Sequence, residues 1–527
     1  MENYKINGSE ILGIEFGSTR IKAVLIDENC NPVASGGHTW ENRLENGVWT
    51  YHMDDIIGGL QSAYKDLNND VKEKYGEEIT TLSAIGISAM MHGYLPFDKD
   101  GNQLAEFRTW RNTITAESSR QLTELFNFNI PQRWSISHLY GAILKDEAHV
   151  ENISFLTTLA GYVHYLLSGK KVVGIGEASG MFPIDSNTND YDEVKLEKFS
   201  ALPNVAKYPW NIKEILPKVL LAGDDAGTLT EEGAKLIDPS GKLKAGAVMC
   251  PPEGDAGTGM VATNSITERT GNVSAGTSIF SMVVLEEQLS SVYEEIDMVT
   301  TPTGKPVAMV HCNNCCTDLD YWVNLFYEFS QANGAGLKKY QVYDFLYNEA
   351  LKADKDCGGI MSYNYFAGEP VSHTDEGRPL FVRTPNANFN LANFMRAQVY
   401  STMTTLKVGM EILDNEKVKI DRLTGHGGLF KTEYVGQKLM AGAMNCPITV
   451  METAGEGGAW GIAILANYAK DTKGLKLDDY LSDFVFGNCK SSTELPDEED
   501  VLGFEKYMKL FKKGLAVEKL ASSEIND

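Results

Sequence analysis

The stretch Pro252-Glu253-Gly254-Asp255-Ala256-Gly257-Thr258-Gly259, followed by Asn272-Val273-Ser274-Ala275-Gly276-Thr277-Ser278-Ile279-Phe280, organises the sequence. Asp255 stands among glycines that let backbone fold closely around a carboxylate, and Gly276-Thr277-Ser278 is a small-residue turn between apolar runs that read as strands. The pattern has a relative near the start. Ile14-Glu15-Phe16-Gly17-Ser18-Thr19-Arg20-Ile21 matches Val273-Ser274-Ala275-Gly276-Thr277-Ser278-Ile279-Phe280 as apolar, polar, apolar, Gly, hydroxyl, hydroxyl, any, apolar. The chain reads as duplicated, with one strand-turn-strand opening each half.

A Gly followed by two hydroxyl residues at a hairpin turn presents backbone N–H groups and hydroxyl donors with no side chain blocking an anion, which suits phosphate oxygens. One such turn alone makes an ordinary hairpin. Two matched turns and a glycine-ringed Asp255 point to a nucleotide triphosphate held from both sides, with Asp255 near its scissile end.

At 527 residues the chain is too long for one core, so two large domains or more are expected. A hydrophobic content of 43% with 23% charged residues is that of a soluble globular protein. The net charge of -25 argues against nucleic acid or an anionic membrane surface as a partner, and most of the acid is expected on solvated faces. Met1 to Glu10 lacks a basic segment leading into an apolar core, and no apolar run reaches the roughly 18 residues of a membrane helix. Eight cysteines without framework spacing fit a reducing cytoplasm. In His311-Cys312-Asn313-Asn314-Cys315-Cys316 no second Cys-x-x-Cys follows at zinc-site spacing, so thiols buried at the end of the strand Val307 to Val310 are expected.

Along the chain, Ile11 to Ile26 reads as a hairpin, Asp54 as the cap of a helix through Ile56, Leu60, Tyr64 and Leu67, and Leu82 to Met91 as a strand whose polar end emerges at Met91-His92-Gly93. In open α/β sheets ligands bind at that edge. Arg108-Thr109-Trp110-Arg111-Asn112 suits stacking on a sugar face, although taken alone it reads as a core Trp beside a surface Arg. Gly176 to Gly180 reads as a loop with ligand-facing groups, and Tyr363 to Pro370 as an aromatic loop. Met395, Val399, Met403, Leu406, Met410 and Leu413 form the core stripe of a long helix. Gly425-His426-Gly427-Gly428 at a strand end and Glu456-Gly457-Gly458-Ala459 at a helix start let backbone lie close to a flat ligand such as adenine.

In that order and spacing the motifs resemble the FGGY family of carbohydrate kinases over about Ile11 to Ala469. The resemblance implies an α/β protein of two ribonuclease-H-like, actin-type ATPase domains with a cleft between them. Boundaries are expected at 1–262 for the N-terminal kinase domain and 263–480 for the C-terminal one, with a tail over 481–527. It further implies ATP-dependent phosphorylation of a sugar hydroxyl, with Asp255 as catalytic base and Met91, His92 and Trp110 beside it at the sugar. Gly17, Ser18, Thr19, Gly276, Thr277 and Ser278 would take the phosphates, and Gly425, Gly427, Gly457 and Gly458 the adenosine. Glu15 would orient a water on Mg2+, in place of the family's usual Asp.

The Asp255-Ala256 pair is closer to ribulokinases than to the xylulokinase-like members that carry Asn after the catalytic Asp, and His426 occupies the middle of the glycine motif. A ketopentose, L-ribulose or D-xylulose, is the expected acceptor. The alternatives are an actin-like ATPase without a sugar acceptor and a non-catalytic sugar sensor. The expected partners are sugar and ATP, in the cytoplasm, with a homodimer left open.

Overall fold

The apolar run at the N-terminus forms β1 (Ile11–Phe16) and β2 (Arg20–Ile26) in the computed structural model of the protein, which describes residues 4–453 and 455–525. Antiparallel to β2 runs β3 (Pro32–Thr39), and the chain then forms helix α1 (Met53–Tyr75) and β4 (Ala84–Ala89), parallel to β1. Helix α1 buries Ile56, Leu60, Ala63, Tyr64, Leu67 and Val71 over this sheet. Its N-cap is His52, which caps nothing with its side chain, so Asp54 is not the expected cap. It stands in the first turn, where a carboxylate favours the helix dipole.

Asp255 opens helix α2 (Asp255–Ala262), directly after Glu253–Gly254 pair with β4. The second phosphate-turn motif forms β5 (Thr270–Ala275) and β6 (Ile279–Val284), antiparallel, and is followed by β7 (Pro306–Cys312). The helix with the apolar stripe is α3 (Leu391–Asn415), and all six stripe residues are buried. Next come β8 (Arg422–His426), parallel to β5, and β9 (Ile448–Met451), parallel to β8. Helix α4 (Gly457–Lys470), strand β10 (Ser491–Glu494) and helix α5 (Glu498–Glu524) complete the chain.

Contacts divide the protein into two units. One comprises the described parts of Met1–Ile266 with Asp297–Val307 and Glu456–Asn488, and the other Thr267–Ile296, Ala308–Gly455 and the described part of Cys489–Asp527. Each contains the same core motif. In the first, hairpin β1–β2 is flanked on the β1 side by parallel β4; in the second, hairpin β5–β6 is flanked on the β5 side by parallel β8. The duplication read from the two Gly-hydroxyl-hydroxyl turns is thus a repeat of topology.

Two segments lie elsewhere than a simple division of the sequence implies. Helix α4, placed by sequence in the 263–480 part, packs in the first unit on β1, β4 and α2. Missing side chains make this approach available. A Cβ on Gly13 would overlap the carbonyl oxygen of Ala459, and one on Gly461 that of Thr258. The segment expected as a tail is built into the second unit, since β10 pairs with β9 and α5 carries Asp500 into the core. There Asp500 meets Arg396 of α3 at 2.7 Å, with both side chains only 1% exposed, and Lys355 at 2.6 Å.

Removing one partner of a buried ion pair leaves an uncompensated charge. Asp500→Ala is therefore expected to destabilise the second unit by about 3–5 kcal/mol, read by chemical denaturation. A loss below about 1 kcal/mol would show that Arg396 reaches water without Asp500.

Candidate functional site

In the first hairpin the turn Gly17-Ser18-Thr19 is closed by Gly17 N–H donating to the Arg20 carbonyl at 3.0 Å. All three turn carbonyls are engaged: Trp40 Nε1 donates to Gly17 O at 2.8 Å, Tyr51 Oη to Ser18 O at 2.5 Å and Trp40 N–H to Thr19 O at 3.1 Å. Trp40 and Tyr51 stack with centroids 4.1 Å apart. Fixing the carbonyls on this aromatic wall withdraws their negative ends from any anion meeting the turn.

Trp110 joins the expected sugar motif to this turn. Its half-buried ring packs on the core while Nε1 donates to Ser18 Oγ at 3.2 Å. Asn112 exchanges hydrogen bonds with the Trp49 backbone at 2.8 Å each way, and the Arg111 guanidinium lies over the Trp49 ring. Trp110 is thus neither a simple core Trp nor free in solvent.

Asp255 is partly open to solvent at the start of α2, and its Oδ1 accepts the Met91 N–H at 3.3 Å. Met91 packs on Gly254 and Gly180, and His92, buried and held at φ 69°, faces the Gly180 carbonyl with Nδ1 at 3.2 Å. A left-handed conformation in a non-glycine residue is a local strain that its surroundings must hold in place. Strand β1 brings Glu15 to the same place, with Lys22 opposite it on β2. The Ala459 N–H donates to Glu15, and a Cβ on Gly458 would overlap Glu15 Oε1. Lys22 Nζ in turn donates to the Glu456 carbonyl at 2.6 Å.

The electrostatics follow from burying several acids together. Burial, and then the charge of Asp255, pushes the Glu15 carboxyl up to about 7, against the pull of Lys22. Burial pushes Asp255 up to about 6 against the N–H groups of Met91 and Ala256. Behind them Glu253, pushed up to about 8 by burial, accepts the N–H groups of Gly176 and Glu177 at 3.2 and 2.9 Å. Gly176 to Gly180 is consequently not a ligand-facing loop: it overlaps a short helix, Ile175–Ala178, whose residues are buried, and Glu177 is fully enclosed.

In the second unit, Gly276 N–H donates to Ser278 O at 2.9 Å, while Cys316 and Cys315 N–H groups donate to the Gly276 and Thr277 carbonyls, each at 3.0 Å. Thr277 is exposed, and a Cβ on Gly276 would meet no atom within 4 Å. Gly427, at φ 102°, lies on the Ala275 backbone, and Gly425 lies under the Phe430 ring. Burial pushes His426 down to about 4, a neutral imidazole. Gly425 and Gly427 belong to the second unit, and Gly457 and Gly458 to the first. The thiols of Cys312, Cys315 and Cys316 are buried.

Against models of known families, residues 10–240 match the N-terminal domain, and residues 271–470 the C-terminal domain, of the FGGY family of carbohydrate kinases. The chain belongs to the FGGY family. It is therefore a phosphotransferase that uses ATP and an alcohol acceptor. Among curated FGGY relatives, a xylulose kinase of Haemophilus influenzae is 22% identical over 87% of this chain and 90% of its own length. A glycerol kinase of Thermococcus kodakarensis is 24% identical over 41% of this chain and 47% of its own. Solved xylulose kinase and gluconate kinase structures from Lactobacillus acidophilus each superpose with TM-score 0.79 over 98% of this chain and all of theirs, at 17% and 18% identity. That likeness shows the two-domain sugar-kinase fold.

Among the described residues no helix is long and apolar enough to cross a membrane, and no three or more His, Cys, Asp or Glu side chains are grouped to hold a metal ion. Sequence reading missed Trp40 and Tyr51 as anchors of the first turn, and Glu253 and Glu177 as the acids behind Asp255. Glu253 stands two residues from Asp255, but nothing local shows that it turns inward.

Raised carboxyl values mean that the folded chain binds these protons more tightly than the unfolded one, whose carboxyls titrate near 4. Stability contributed by Glu15 is present below about pH 4 and lost as pH rises through about 7. Glu15→Gln is expected to raise the Tm of the ligand-free protein more at about pH 8 than at about pH 5. Equal gains at both would show that Glu15 carries no such proton.

Proposed function

We propose that this kinase phosphorylates a ketopentose, L-ribulose or D-xylulose, with Asp255 as the general base. The observation that carries this is the Asp255 carboxylate, fixed by the Met91 N–H beside the strained His92 and opening a helix, in a chain that matches xylulose kinases along nearly its full length. In sequence the glycerol kinases of Thermococcus align with 41% of the chain and the xylulose kinase with 87%, which favours a ketose acceptor over glycerol, although the fold itself is shared by both.

In the proposed reaction Asp255 takes the proton of the sugar hydroxyl as its oxygen attacks the γ-phosphorus of ATP. The bond to the bridging oxygen breaks and ADP leaves. Met91, His92 and Trp110 hold the sugar. The Gly17-Ser18-Thr19 and Gly276-Thr277-Ser278 turns donate to phosphate oxygens, and the glycines of the two adenosine motifs contact the base. Glu15 and Asp255 suit a divalent cation through water, because burial raises both carboxyls and the charge of Asp255 raises Glu15 further, a state that a nearby positive charge relieves. Mg2+ bound there would neutralise charge developing on the phosphates. Lys22 already supplies part of that field.

The first test is ADP release with Mg-ATP across ketopentoses, ketohexoses and polyols. Strong stimulation by one ketopentose is expected. ATP turnover indifferent to every sugar would instead indicate an ATPase without an acceptor, and sugar binding without product a sensor.

With the active sugar in hand, Asp255→Asn should lower kcat on the order of a thousandfold with little change in nucleotide binding. Wild-type kcat/KM should fall as pH drops below about 6, since only the deprotonated Asp255 can accept the proton. A variant with near-normal turnover would remove Asp255 from the mechanism.

A further inference from the structure

The second phosphate turn is held from behind by a chain of hydrogen bonds that begins at a buried carboxylate far along the sequence. Glu369 is fully buried, and its Oε2 accepts from the Asn313 N–H at 2.9 Å, the Asn314 N–H at 3.3 Å and Asn314 Nδ2 at 3.1 Å. Asn314 is the hub. Its Oδ1 accepts from the Phe366 and Ala367 N–H groups at 2.8 and 3.0 Å, and its Nδ2 also donates to the Ala367 carbonyl at 3.0 Å. Asn313 Nδ2 donates to Gly368 O at 2.7 Å, and Asn364 Nδ2 to Cys315 O at 2.7 Å.

The bend Asn313–Cys316, gripped in this way, donates the Cys315 and Cys316 N–H groups that engage the Thr277 and Gly276 carbonyls. From these bonds we infer that Glu369, with Asn314, is a positioning residue for ATP, fixing the orientation of the Gly276-Thr277-Ser278 turn from behind.

A buried carboxylate is an expensive choice for a purely structural tie, because its desolvation must be matched by donors on every side. Here three donors come from the bend that supports the turn, and the Val371 N–H adds one from the chain just after Glu369. The arrangement differs from the first hairpin, where aromatic N–H and O–H groups reach the carbonyls directly. Here it is the bend that meets the Gly276 and Thr277 carbonyls, and its bonds to Glu369 are stronger when that carboxyl is ionised, although burial pushes it up to about 7 against the N–H groups and the Asn314 amide. Without Glu369, the Asn313 and Asn314 N–H groups would be left to turn toward other partners, and the bend with them, while Asn314 Nδ2 would keep the Ala367 carbonyl.

The inference rests on the proposed binding of ATP phosphates at this turn, and the test separates the two. Gly276→Ala places a methyl where no protein atom is near, so the fold tolerates it while a bound phosphate would not; a raised KM for ATP in this variant supports the turn as a phosphate site. Glu369→Ala is then expected to raise KM for ATP by about tenfold or more, leaving KM for sugar within about twofold. Glu369→Gln, whose amide oxygen can still accept these bonds, should recover most of the ATP affinity.

Should Glu369→Ala not fold, Glu369→Asp, with its reach shortened by one methylene, is expected to show the same selective rise. A rise for Gly276→Ala with none for folded Glu369 variants overturns the positioning role alone, as does an equal rise in both KM values. No rise in either would overturn the phosphate reading of the turn itself.

Discussion

Backbone lies directly on backbone where helix α4 crosses β1, and the chemistry of the first unit depends on that contact. Gly13 and Gly461 leave room for the carbonyls of Ala459 and Thr258, so α4 sits closer to the sheet and to α2 than side chains would allow. The start of the helix then meets the end of β1: Ala459 donates its N–H to Glu15, Gly458 makes room for the Glu15 carboxyl, and Lys22 closes on the Glu456 carbonyl. A segment more than 400 residues along the sequence is thereby part of the surroundings of the first carboxylate. A methyl group at any of these positions would push α4 outward and pull the N–H away from Glu15.

The same closeness explains the proton affinities. Asp255 acts on Glu15 and on Glu177, which also feels Glu253, and burial raises all four, while backbone N–H groups pull Glu15, Glu253 and Asp255 the other way and the Thr158 side chain pulls Glu177. Only Asp255 and Glu15 keep some access to solvent, whereas Glu177 and Glu253 are enclosed. The outer pair can exchange protons with solvent, and of the inner pair Glu253 holds the Gly176–Glu177 backbone. The chain carries 25 more acidic than basic residues in formal charge, but this local field is set by four of them and one lysine.

What the sequence made legible was the part written in local signals. The two hairpins, the strand into Met91, the long apolar-striped helix and the helix after Gly457 all follow from turn chemistry and periodicity over fewer than about thirty residues. The placement of α4 and of residues after Ser491 did not, since it depends on glycine-sized gaps and on the Arg396–Asp500 pair, formed by partners more than a hundred residues apart. Asp54 illustrates a smaller failure: an acid at a helix start serves equally as cap or as first-turn charge, and only the extended backbone of His52 decides. Asp255, Glu15 and Trp110 could be named from sequence, yet Trp40 and Tyr51 could not, because their contribution is a few N–H and O–H donors at the rim of an aromatic cluster.

The two hairpins solve one electrostatic problem in different ways. A tight turn exposes carbonyls as well as N–H groups, and carbonyls repel the anion that the N–H groups attract. In the first unit the Trp40 indole, the Tyr51 phenol and the Trp40 backbone N–H neutralise them, and a further indole, Trp110, reaches the Ser18 hydroxyl, so a residue of the proposed sugar site also touches the turn. In the second unit the neutralising donors are backbone N–H groups at the start of a helix, and the side chains behind them are buried thiols and amides. Duplication accounts for the shared topology of strand, turn, strand and parallel neighbour. The divergence lies in the supporting layer: an aromatic wall can present an apolar ring to a sugar, whereas a polar clasp around Glu369 presents nothing and serves only to hold the backbone still.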